Sequence, residues 1–112
     1  MAVSSLQLVD NISVTNTASY SQAVNMNSAN ALQVTVVVAA AGGTTLTMSL
    51  EGSNDLSNWA SITVAGSWAT LGAGFSAPAS VSSIAYQYVR VKFLAAAAGP
   101  LVCSVYLCTS FL

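Results

Sequence analysis

Apolar residues recur at every second position along most of this 112-residue chain. That period belongs to half-buried β-strands, whose side chains point alternately to core and solvent. Leu6, Leu8, Ile12 and Val14 form the first row, with Gln7, Asn11, Ser13 and Thr15 facing away and Asp10 breaking it where a bend or bulge is expected. Leu32, Val34, Val36 and Val38 form the second, and Val37 on the opposite face marks that strand as central. Leu46, Met48 and Leu50 point inward, with Thr45, Thr47 and Ser49 outward. Ala60, Ile62 and Val64 share a face of the next strand, Trp59 to Val64, with Ser61 and Thr63 outward. Val89, Val91 and Phe93 oppose Tyr86, Tyr88, Arg90 and Lys92. Further strands are expected from Tyr20 to Met26 and from Leu101 to Phe111.

Between these rows lie turn formers. Asn27-Ser28-Ala29-Asn30 reads as a polar turn, Ala39 to Gly43 as a hairpin-type connection, and Gly52 to Asn58 as a dense cluster of turn residues. The stretch Ala65 to Ser80 reads as a loop with one short strand. Short Val- and Thr-rich strands joined in this way predict an all-β fold: one domain over residues 1–112, an antiparallel β-sandwich or jelly-roll-like, of about 7–9 strands. Its core should hold Leu32, Val34, Val36, Leu46, Met48, Leu50, Ile62, Val89, Val91 and Phe93.

Charge is almost absent. Asp10, Glu51 and Asp55 stand against Arg90 and Lys92, so charged residues make up 4% of the chain, where about 25% is ordinary. Two basic residues cannot build the footprint that binds phosphate backbones, so direct nucleic-acid binding is not expected. With 54% hydrophobic residues the chain is not disordered either. The start, Met1-Ala2-Val3-Ser4-Ser5, lacks the basic region and long apolar run of a secretory signal. Phe93 to Leu112 has the length of a membrane helix, but Gly99-Pro100 interrupts it, and it reads as a turn and a last strand. Membrane association is therefore not expected.

Chemistry has few candidates. Histidine is absent, and two cysteines with three scattered acids make a poor metal set. Glu51 and Asp55 read as a solvated turn or as partners for Arg90. Gly42-Gly43 and Gly72-Ala73-Gly74 lead into no helix and are turns. No nucleophile has a base beside it, so neither enzyme activity nor a cofactor is expected. Cys103 and Cys108 fall on opposite faces of one strand. Their Cα atoms lie roughly 17 Å apart, and a disulfide spans at most about 7 Å. They are small buried hydrophobes in a reducing compartment, or one bridges between subunits.

Leu50-Glu51-Gly52-Ser53-Asn54-Asp55-Leu56-Ser57-Asn58-Trp59, followed by Tyr86-Gln87-Tyr88-Val89-Arg90-Val91, resembles the "EGSND…NW" then "YVRV" pattern of small β-sandwich domains in bacteriophage virion proteins. The same pieces occur in the discoidin (coagulation factor 5/8 C-type) β-sandwich family, which carries Gly where this chain has Leu56. The residues themselves suggest structural roles: Asn54 and Asp55 close an Asx-type turn, Trp59 covers the sandwich edge, and Arg90 reaches back to Asp55 or Glu51.

A surface so poor in charge suits subunit interfaces, whose cores are depleted in charged residues. The expected function is a non-enzymatic structural protein that assembles with copies of itself, a phage coat, decoration or tail component within a virion, with other virion proteins as further partners. The lack of basic residues favours an outer layer or tail part over a genome-lining shell. Two alternatives stand beside it: a carbohydrate-binding module using Tyr86, Tyr88, Trp59 and Trp68, and a bacterial filament or shell protein.

Overall fold

In the computed structural model, residues 3–40, 44–62, 68, 71–76, 81, 84–97 and 101–110 are described. They form β1 (Val3–Val14), β2 (Ser19–Tyr20), β3 (Val24–Asn25), β4 (Ala31–Ala40), β5 (Leu46–Ser53), β6 (Ala60–Ile62), β7 (Gly74–Ser76), β8 (Tyr88–Ala95) and β9 (Leu101–Ser110). The expected all-β sandwich is what the chain forms. No helix among the described residues is long and apolar enough to cross a membrane.

The strands lie in two antiparallel sheets. One runs β1-β9-β4-β7; the other runs β2-β8-β5-β6, with β3 also paired to β8. The pairing is nested: β1 with β9, β2 and β3 with β8, β4 with β7, β5 with β6. Two further pairings, β4 with β9 and β5 with β8, join these hairpin-like pairs into sheets. Taking β2 and β3 as one interrupted strand, this order is that of an eight-stranded jelly roll. The interruption has a local cause. Between β2 and β3, the Ser21 N–H donates to the Val91 carbonyl at 2.8 Å, while the Val91 N–H donates to Ser21 Oγ at 2.9 Å. A side-chain hydroxyl thus stands in for the backbone carbonyl that a continuous strand would offer.

Asp10 marks an irregular strand, as expected. β1 shifts register against β9 between Gln7 and Val9, and again between Val9 and Ile12. Each shift inserts one residue, so the pair of them restores parity. Leu6 and Ile12 therefore stand opposite the inward residues Leu107 and Cys103. Leu8 and Val14 are buried and Ile12 partly so, but Leu6, on this edge strand, is 39% exposed, so the expected row holds except at its first residue. Asn11 takes a left-handed φ of 47° at the second bulge, and its N–H donates to Ser104 Oγ at 2.9 Å.

Three expectations need correction. β4 and β5 do not form the hairpin expected across Ala39 to Gly43, because they lie in different sheets. Alternation reports which face of a strand is buried, and it is silent on the sheet a strand joins. The segment from Tyr20 to Met26 is two short pieces rather than one strand. Tyr86 does not share the outer face with Tyr88 and Arg90; it precedes β8 and packs against the core. The expected irregular stretch does hold one short strand, β7. Thr63, Val64, Gly42-Gly43, Gly99-Pro100 and Phe111 lie outside the described residues.

The core sits between the sheets. Leu32, Val34, Val36, Leu46, Met48, Leu50, Val89, Val91 and Phe93 are all buried, and Ile62 packs partly buried against them. Each large side chain so buried contributes roughly 1.5–3 kcal/mol relative to exposure. Trp68 joins this core, its carbonyl accepting from the Met48 N–H at 2.8 Å.

Candidate functional site

The segments 50–59 and 86–91 meet in space, because β5 and β8 are antiparallel neighbours. Their register sets Glu51 opposite Arg90, Gly52 opposite Val89 and Ser53 opposite Tyr88. Arg90 Nε donates to Glu51 Oε1 at 2.7 Å, and both side chains are mostly buried. Glu51 is thus the partner of Arg90, and Asp55 is not.

The guanidinium also lies between two rings. Its Cζ stands 4.2 Å from the centroid of Trp59 and 4.2 Å from that of Tyr20. A planar cation stacks on ring faces while its edge still donates to a carboxylate, which an ammonium cannot do equally well. Trp59, read from sequence as an edge cover, therefore covers Arg90. Tyr20 was not legible as a member of this cluster. Only the register of β2, with Tyr20 opposite Lys92, brings it beside Arg90.

The turn after β5 is built on Ser53 and Asp55. Ser53 Oγ accepts from the Asp55 and Leu56 N–H groups at 3.2 and 3.0 Å and donates to Asp55 Oδ1 at 3.0 Å. Asp55 Oδ1 also accepts from the N–H groups of Ser57 and Asn58, and Oδ2 from Asn58 Nδ2 at 2.7 Å. These donors, the Asn58 N–H foremost, hold the Asp55 carboxyl well below the usual carboxylate range. Asp55 closes the Asx-type turn as expected. Asn54 does something else: its Oδ1 accepts from the Gln87 N–H at 2.9 Å and ties the turn to the segment before β8.

Gly52 completes the join. A Cβ there would collide with the Tyr86 ring and stand 2.9 Å from Ile62 Cδ1, so only glycine admits Tyr86 over β5. All five singled-out residues, Glu51, Asn54, Asp55, Trp59 and Arg90, thus belong to one structural clasp. No metal-competent cluster occurs among the described residues.

Charge is unevenly spread. Glu51, Arg90 and Lys92 occupy the outer face of the β5–β8 sheet, and Asp55 its exposed turn. On the other sheet, Asp10 at the β1 bulge is the one charged residue among those described. That face instead carries Phe75, 70% exposed, directly opposite Val37, with Tyr106 opposite Thr35 on the neighbouring strand. Cys103 points inward and Cys108 lies on the outer face, both free. Burial pushes the Cys103 thiol up to about 11, which keeps it protonated and inert at neutral pH. Of the aromatics expected to form a sugar platform, Trp68 is in the core and Trp59 is stacked on Arg90.

No protein-family model matches the chain, and no curated protein does either.

Proposed function

We propose that this protein is a non-enzymatic structural subunit that assembles with copies of itself through the outer face of the β1-β9-β4-β7 sheet. The observation that carries this reading is the partition of charge. Val37, Phe75 and Tyr106 are all at least 37% exposed on that face, and its one charged residue among those described is Asp10 of β1, 3.4 Å from the hydroxyl of Ser104. Soluble surfaces ordinarily intersperse charges with such residues, whereas interface cores lack charge and are rich in aromatics. Alternation in the sequence sets Thr45, Thr47, Ser61 and Thr63 outward, and an uncharged outward face is a candidate contact surface. Thr47 and Ser61 belong to the sheet that bears Glu51 and Arg90, so the contact surface is assigned to the opposite sheet.

A coat, decoration or tail component of a phage-like virion is the assembly this reading favours. It draws on the resemblance of Glu51 to Trp59 and Tyr86 to Val91 to virion sandwiches, and on the jelly-roll order, which is common among capsid domains. Copies of the chain and other virion proteins are then its partners, and the virion its location. Sedimentation and negative-stain microscopy of the purified protein test this. A regular particle or tube is expected; a monodisperse monomer would overturn the reading.

A further inference from the structure

At one end of the sandwich, a cleft of about 500 Å³ opens among the β3–β4 turn, the turn after β5, and the segment before β8. It is within the usual size of small-ligand sites. Its polar lining includes Asn25, Asn27, Ser28, Asn54 and Gln87, and none of the described residues that line it is charged. Half-buried Tyr86, seated on Gly52, gives the apolar wall its exposed surface, and the buried Met26 and Ile84 back it from the core. We propose that this cleft binds a neutral polyhydroxylated ligand, a saccharide segment, through its amide side chains and its apolar wall.

Side-chain amides offer donors and two-lone-pair acceptors that suit hydroxyls. Here Asn25 Oδ1 and Asn54 Oδ1 each already accept one backbone N–H, from Asn27 and Gln87, which fixes the orientation of these two amides. Gln87 Nε2 lies 3.4 Å from the Tyr88 hydroxyl. The absence of charge removes the partner that an acidic or phosphorylated ligand would require. The apolar wall suits the C–H face of a sugar ring. A peptide fits less well, since strand addition needs unpaired backbone groups. Here the Met26 N–H donates to the Gln87 carbonyl at 2.8 Å, the Gln87 N–H to Asn54 Oδ1 at 2.9 Å, and the Ile84 N–H to the Asn30 carbonyl at 2.9 Å. The same bonds tie the three walls together, so the cleft is formed before any ligand arrives.

Asn27 and Ser28 hold left-handed φ values of 49° and 67° at its rim. Glycine is at ease there, so Asn27→Gly and Ser28→Gly remove side chains while keeping the turn; Gln87→Ala removes an amide without touching its backbone bonds. Saturation-transfer NMR on the full chain would use neutral hexasaccharides of glucose, mannose, galactose and N-acetylglucosamine, with sialyllactose and an uncharged Ser/Gly/Thr hexapeptide alongside. Transfer to at least one neutral hexasaccharide is expected. Its affinity should fall about fivefold or more, the scale of one lost hydrogen bond, in Gln87→Ala and in at least one glycine variant. No transfer to any neutral hexasaccharide, affinity unchanged in all three variants, or a stronger response to sialyllactose or the peptide would overturn the proposal.

Discussion

Replacing Arg90 by alanine removes a 2.7 Å bond to Glu51 and two ring stacks at once. An exposed ion pair is worth at most about 1 kcal/mol, and breaking a buried one costs about 3–5 kcal/mol. With side chains 23% and 16% exposed, this pair lies between those limits. Arg90→Ala should therefore lower stability by roughly 2 kcal/mol in urea unfolding. Arg90→Lys should recover less than half, because an ammonium does not lie flat between Trp59 and Tyr20. Asp55 makes a second residue-scale case. Its folded form favours the carboxylate, so its contribution is complete above the ordinary value of 3.8 and is lost as pH falls through the lowered folded value. The melting-temperature gap between wild type and Asp55→Ala should stay constant above about pH 5 and narrow below it. A gap that widens on acidification would contradict the assignment.

Among the elements, the β5–β6 turn carries the clearest departure from local preference. Leu56 is half exposed and holds a left-handed φ of 64°, a conformation that favours glycine. A side chain there costs about 1–2 kcal/mol, partly offset by the added chain entropy of glycine. Leu56→Gly should raise stability by about 0.5–1 kcal/mol, read as a shift of the urea midpoint. Strand faces were legible in the sequence because burial imposes a period that survives even two bulges in β1. The Arg90–Glu51 pair was legible because only five charges exist and few pairings are open. Sheet membership was not: the step from β4 to β5 looks like a hairpin when only composition is visible, and the nested pairing that separates them is long-range. Tyr20 and the Asn-lined cleft were hidden for the same reason, since both arise where distant segments meet.

For the whole molecule, the jelly roll leaves two outer faces of different chemistry. One face carries Glu51, Arg90 and Lys92, the first two paired across β5 and β8; the other presents Phe75, Val37 and Tyr106 beside Thr35 and Gln7, with Asp10 at its edge. An unpaired charge buried between subunits costs several kcal/mol, whereas an exposed substitution ordinarily stays within about 0.5 kcal/mol. In a closed or helical assembly that cost recurs at every equivalent contact. The direct measurement is sedimentation of four lysine variants, each first checked for a wild-type β circular-dichroism spectrum. Val37→Lys and Phe75→Lys should fold and remain dispersed subunits, while Thr47→Lys and Ser61→Lys should sediment as wild-type particles. Val37→Lys and Phe75→Lys sedimenting with the wild type would contradict the assignment of assembly to this face.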